Sequence, residues 1–181
     1  MLILLRLNKF WFIWKYPLIN IYLFIFTRKH LYIVQVFFYY YYIMEKFALP
    51  PLIDDSSKIL ILGTIPGDQS IARQQYYGNK GNHFWKILFF IFQEDFSTSY
   101  EERRKLLKNN HIGLWNVLAF CMREGSSDSK IKNEVVNDFE KLLCDYPNIR
   151  HIFFESKTAA KFYLKYMQPN NKIIYYTLPS T

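Results

Sequence analysis

A chain of 181 residues holds one domain with a sizeable core, and its formal net charge of +8 is unevenly spread: residues 1–43 carry five Lys/Arg and no acid, which leaves 18 basic and 15 acidic residues beyond them. That remainder, at +3, is mildly basic and compatible with DNA without being diagnostic of it. Two cysteines, Cys121 and Cys144, exclude a four-thiolate iron–sulfur cluster and, without several histidines at ligand spacing, a zinc site; both read as reduced core residues of a cytosolic protein.

Residues 1–43 consist of three apolar runs separated by Arg6/Lys9, Lys15 and Arg28-Lys29-His30. None reaches the ~18 uninterrupted residues that favour a spanning helix. No short apolar region followed by a small-residue cleavage site marks a secretory signal. Two readings stay open: upstream AT-rich sequence read through ahead of a start at Met44, or a basic, aromatic anchor at a membrane surface. If translated, the segment carries enough apolar surface for aggregation or membrane contact.

Residues 45–57 read as a Pro-rich lead-in. Lys58–Leu62 is then a nearly continuous apolar run, as in a parallel strand covered on both faces. Gly63 breaks it and Pro66-Gly67 turns the chain. A short helix over Ser70–Gln75 follows, with Asp68 or Ser70 as N-cap, and leads to the pair Tyr76-Tyr77. The loop Gly78-Asn79-Lys80-Gly81 delivers Asn82 onto an apolar helix over Asn82–Gln93. Tyr100–Asn109 is a charged surface helix, acids early and bases late, whose Arg103 and Arg104 read as a solvated face or as phosphate contacts. Gly113–Leu118 is a short strand, Phe120–Ser129 a polar loop, and Ile131–Cys144 a helix capped by Asp128 or Ser129 with Ile131, Val135, Phe139 and Leu142 at helical spacing. His151–Phe154 is a buried strand, Lys157–Met167 a helix and Ile173–Leu178 the last strand. Strands alternating with helices give an α/β domain with a parallel sheet of about four strands.

An apolar strand emptying into a Gly/Pro turn is where an open α/β sheet places its ligand crevice. An aromatic plate and an uncharged amide beside that turn suit a flat, neutral ligand such as a nucleobase. The stretch GTIPGDQS lacks the Gly-Lys-Ser/Thr ending of a nucleoside-triphosphate loop, which argues against an ATPase.

Four patches carry a resemblance: KILILGTIPGDQSIARQQYYGNKGNHFWKIL (58–88), Gly113-Leu114-Trp115-Asn116-Val117-Leu118, Gly125-Ser126-Ser127-Asp128-Ser129-Lys130-Ile131, and Leu178-Pro179-Ser180-Thr181. In this order they resemble the uracil-DNA glycosylase superfamily, most closely the branch acting on hypoxanthine in DNA, with mismatch-specific uracil-DNA glycosylases as near relatives. The resemblance implies a three-layer α/β/α sandwich over residues 44–181. It also implies a DNA glycosylase without cofactor, metal or obligate protein partner, located in the cytoplasm at the nucleoid, whose partner is DNA containing a deaminated base. Gly63, Thr64, Ile65, Pro66 and Gly67 would contact the base, with backbone N–H groups as donors, and Tyr77 would stack on it. Tyr76 then packs against the Phe84-Trp85 helix. Asn82 would orient water, although helix capping alone also explains an Asn there; Asp68 and His83 are rival bases. Lys80, Ser180 and Thr181 would meet the DNA backbone.

The chain also departs from the family pattern. Ile65 stands where most of the superfamily has Asn or Asp, Asn79-Lys80-Gly81 replaces His-Pro-Arg, and Phe154-Glu155-Ser156 replaces Phe-Asn-Gly. The sequence stops at Thr181, before the family's DNA-inserting loop and closing helix, as a C-terminally truncated member would. No lysine sits in position for a Schiff base, so a monofunctional enzyme is expected. The alternatives from other classes are a catalytically impaired DNA-binding remnant and a membrane-tethered interaction protein.

Overall fold

The computed structural model describes residues 44–180; the readings attached to residues 1–43 and to Thr181 lie outside the described residues. In chain order the elements are β1 (Glu45–Phe47), β2 (Ile59–Gly63), α1 (Asp68–Arg73), α2 (Phe84–Ile91), α3 (Tyr100–Asn109), β3 (Ile112–Asn116), β4 (Leu118–Met122), β5 (Lys132–Val136), α4 (Phe139–Asp145), β6 (His151–Phe154), α5 (Lys157–Tyr166) and β7 (Ile174–Thr177). Among the described residues the strands form two sheets. One is four-stranded and wholly parallel, in the order β3-β2-β6-β7; the other is antiparallel, in the order β1-β4-β5.

The parallel sheet is covered on both faces, which explains why β2 is apolar at every position up to Gly63. Side chains alternate along a strand. Leu60 and Leu62 therefore face one core with Phe139 and Leu142 of α4 and Ala159, Ala160 and Tyr163 of α5. Ile61 faces the other, with Phe84, Trp85, Leu88 and Phe89 of α2 and Leu106 and Leu107 of α3. The result is the expected α/β/α layering around a four-stranded parallel sheet. None of the helices among the described residues is long and apolar enough to cross a membrane.

Gly113 of β3 lies so close to Ile53 that an added Cβ would fall 2.9 Å from Ile53 Cγ1. Strand propensity alone would favour alanine by roughly 0.5–1 kcal/mol. Overpacking in a tight core costs about 1–3 kcal/mol and wins. Gly113→Ala should therefore lower the urea midpoint with an unchanged slope.

Five local expectations are corrected. The lead-in contains a strand, β1, paired with β4, and Leu52 bridges Leu114 through two 2.9 Å backbone hydrogen bonds. The stretch read as a polar loop opens with β4. The single helix over Ile131–Cys144 is instead β5 followed by α4, capped by Asp138, whose side chain accepts from Lys141 N at 2.9 Å. Pairing with β4 takes the β-branched pair Val135-Val136 out of the helix, a preference that spacing alone does not reveal. At α1 the N-cap is Gly67, without a side-chain cap; Asp68 lies in the first turn and pairs with Lys46 Nζ at 2.7 Å. Lastly, Cys144 is exposed, while Cys121 is buried and its thiol is pushed up to about 11 by that burial.

Candidate active site

Parallel register brings three strand ends to one level. Gly63 of β2 stands opposite Asn116 of β3, Leu62 stands opposite Phe154 of β6, and the next residue, Glu155, donates its N–H to Leu62 O at 3.0 Å. Chain order reverses direction across β2, from β3 on one side to β6 on the other, and a crevice at the carboxyl ends follows. A Cβ placed on Gly63 would lie 3.4 Å from Asn116 Nδ2 and 3.5 Å from both Glu155 Oε2 and Tyr77 Oη. Here a cavity of about 230 Å³ opens, lined by the whole turn Gly63–Gly67 together with Tyr77, Asn82, Asn116, Arg123 and Glu155.

The turn's carbonyls are engaged within the fold. Gly63 O accepts from Val117 N at 2.8 Å, Thr64 O from Leu118 N at 3.0 Å and Pro66 O from Arg123 Nη2 at 2.7 Å. A trans peptide directs its N–H opposite to its carbonyl, so the N–H groups of Thr64, Ile65 and Gly67 turn away from those donors. Gly67 approaches the second loop closely: a Cβ there would sit 3.2 Å from Ser126 Oγ.

Arg123 ties this turn to the loop after β4. Its guanidinium is 1% exposed and binds Asp128 Oδ1 at 2.9 Å, Gly125 O at 3.0 Å and Pro66 O at 2.7 Å. Ser126 Oγ accepts from Asp68 N at 3.0 Å. The two loops thus form one wall.

Tyr77 has a left-handed backbone, φ 50°, which costs a non-glycine residue about 1–2 kcal/mol. Its neighbours hold it there. Tyr76 N donates to Tyr100 Oη at 3.0 Å, Tyr76 O accepts from Trp85 Nε1 at 2.9 Å, and Gly78 N donates to Ser70 Oγ at 3.0 Å. The Tyr77 ring stacks on Phe84 at 3.6 Å and meets Trp85 edge-on. Burial, and then the charge of Glu155, hold its phenol well above the usual range, so it stays a protonated donor. Tyr76 is buried in the same cluster as Phe84 and Trp85, its hydroxyl donating to the carbonyls of Leu49 and Pro50, but the ring stacked on that helix is Tyr77's, so the packing role expected of Tyr76 alone is shared by both.

Asn82 precedes α2, which begins two residues later than the apolar pattern suggests. Its Oδ1 accepts from Phe84 N at 2.8 Å. That bond uses one of two Oδ1 lone pairs and fixes the amide plane at the cavity wall. Two side-chain oxygens, Thr64 Oγ1 and Asn116 Oδ1, are buried at this site without a hydrogen-bond partner among the described residues, and each residue is 4% exposed. A buried orphan acceptor costs about 1–3 kcal/mol, and a polar ligand removes that cost.

The structure therefore gathers Asn82, Tyr77 and Gly63–Gly67 around one space. Lys80 and Ser180 are exposed and do not line it. Neither do the rivals: Asp68 pairs with Lys46, and His83 is exposed at the start of α2. Arg103 lies over the rings of Trp85 and Phe96, at 5.5 and 5.7 Å, in a packing role. Asn116, Arg123, Asp128 and Glu155 were not assigned from sequence. Asn116 ends its apolar strand and Glu155 follows one directly, so the rule that singles out Gly63 could have found both. Nothing in the local pattern marks Arg123 as buried.

The sequence profile of the uracil DNA glycosylase superfamily matches residues 50–181. Hypoxanthine DNA glycosylases of Methanosarcina barkeri and Methanosarcina acetivorans are 45% and 44% identical to the chain over 120 residues, which is 66% of this chain and 76% of each relative. A solution NMR structure of a uracil DNA glycosylase candidate from M. acetivorans superposes with a TM-score of 0.67 at 41% identity, covering 76% of this chain and 84% of that one. With a profile match over most of its length and a site at the expected strand ends, the chain belongs to the uracil DNA glycosylase superfamily.

Proposed function

We propose that the protein is a monofunctional DNA glycosylase that hydrolyses the N-glycosidic bond of a deaminated base flipped out of DNA, with hypoxanthine preferred over uracil. The observation that carries this reading is the convergence of Asn82, Tyr77 and the Gly63–Gly67 turn on one cavity, whose lining residues Thr64 and Asn116 each hold a buried oxygen without a hydrogen-bond partner among the described residues. The names of the two Methanosarcina relatives support hypoxanthine as the base. The expected setting is the cytoplasm, at the nucleoid.

Extruding a nucleotide costs a few kcal/mol, least for a mispaired base. Stacking on the Tyr77 ring offsets about 1–3 kcal/mol of that. Bond cleavage then places positive charge on the sugar and negative charge on the departing base. The N–H groups of the turn supply fixed donors for the base, an arrangement in which losing one donor costs about 10²–10³-fold in rate. Asn82 cannot accept a proton. Its part is to hold and polarise the water that attacks the cationic sugar. No lysine among the described residues lines the cavity, in keeping with hydrolysis and no lyase step.

Incubating the full chain with a duplex carrying one deoxyinosine should create sites that break only after alkali. Binding without alkali-labile sites would favour the DNA-binding remnant, and breaks without alkali would contradict the monofunctional reading. Gly63→Ala places a methyl group on the cavity floor at ordinary contact distances from Asn116, Glu155 and Tyr77. One added carbon in a binding pocket is worth about 10–200-fold. Base release should fall by that range while the melting temperature moves by no more than about 2 °C.

A further inference from the structure

Glu155 is the acidic side chain nearest the cavity floor. Its Oε2 and Asn116 Nδ2 lie 3.5 and 3.4 Å from the Cβ position of Gly63, with Tyr77 Oη also at 3.5 Å, so an acceptor and an amide donor both border the same point at the end of β2. An ionised carboxylate only accepts hydrogen bonds, through about four lone-pair sites. A carboxylate can therefore accept from a ligand while keeping its contacts within the fold, and Glu155 lines the cavity.

Deamination makes the same change in two bases. Adenine N1 and cytosine N3 carry a lone pair; in hypoxanthine and uracil those nitrogens carry hydrogen, and the neighbouring amino group has become a carbonyl. A carboxylate beside an amide donor matches the new N–H/C=O pair and repels the undamaged edge, which presents a lone pair to the carboxylate. Sites built on such a hydrogen bond reject ligands lacking the donor far more strongly than sites built on shape.

We infer that Glu155 is a specificity-determining residue: its carboxylate accepts the ring N–H that deamination creates, while Asn116 Nδ2 donates to the adjacent carbonyl oxygen. This rests on the glycosylase reading above. The chemical class selected is a base with a lactam edge, whether purine or pyrimidine.

The test compares the full-length wild type with Glu155→Gln, which has nearly the same shape, in single-turnover release of hypoxanthine, N1-methylhypoxanthine and adenine from otherwise identical duplexes. N1-methylhypoxanthine retains the carbonyl and lacks the N–H. Exchanging a charge-assisted hydrogen bond for a neutral one should slow hypoxanthine release about tenfold in Glu155→Gln. It should leave release of the methylated base unchanged and raise that of adenine, because the amide can donate to N1. Equal slowing of hypoxanthine and methylhypoxanthine would assign Glu155 a structural or general catalytic role and overturn the inference. So would no effect on either base. If the wild type releases none of the three bases, the glycosylase reading fails and this one fails with it; wild-type release that ignores the substitution sinks this inference alone.

Discussion

Asn82→Ala lowers single-turnover release of hypoxanthine by about 10²–10³-fold, the range typical of losing one positioned polar group, while Asp68→Asn leaves most of it. The ranking follows from position. Asn82 lines the cavity, and its amide is oriented by the Phe84 N–H. Asp68 lies outside the lining and is held by Lys46. Alanine also removes a capping acceptor from α2, worth about 0.5–2 kcal/mol of stability, so a lower rate alone does not separate chemistry from folding. Asn82→Ser makes that separation. The hydroxyl can still accept from the helix N-terminus, but it has no amide to polarise water, so the variant should melt close to wild type and remain inactive. The reverse ranking, with Asp68→Asn inactive and Asn82→Ala active, would move the catalytic role to Asp68.

The largest effect on stability falls on Arg123→Met. The wild-type guanidinium joins Asp128, Gly125 O and Pro66 O in a position that is 1% exposed. Removing one partner of a buried pair costs about 3–5 kcal/mol. Asp128 is 30% exposed and solvent relieves part of its lost interaction, which places the expected loss near the lower end. Against a typical total stability of about 5–15 kcal/mol this is a large share, readable as a shift in the urea midpoint. Arg123→Lys should not rescue it, because one ammonium cannot reproduce a planar fork directed at three acceptors. Since Pro66 O lies in the turn proposed to hold the base, activity should fall further than the fraction of unfolded protein explains.

How far the sequence reveals this arrangement depends on how local each determinant is. The strand β2, the break at Gly63 and the alternation of Leu60, Ile61 and Leu62 between two cores are visible because hydrophobic period and turn residues act within a few positions. The helix α3 matches its expected bounds because its cap, Ser99, and its charge order are both local. The strand β5 is hidden for the opposite reason. Its sequence, KNEVV, has apolar positions that also fit a helical spacing, and only pairing with β4 decides between them. At the site, Tyr77 and Asn82 stand out as an aromatic and an amide beside a turn. The wall made by Arg123 depends on a hydrogen bond across 57 positions, which no local pattern contains. Glu155 departs from the family pattern in sequence, but its approach to Asn116 follows from the parallel register on either side of β2, and its approach to Tyr77 from the loop after α1, neither of which is local.

The most direct measurement is chromatographic detection of free base after the full chain meets a duplex holding one deoxyinosine. Wild type should yield one equivalent of hypoxanthine per duplex with the backbone intact, and the well-folded Asn82→Ser variant should yield almost none. Equal yields from the two proteins, or no free base from the wild type, would contradict the account.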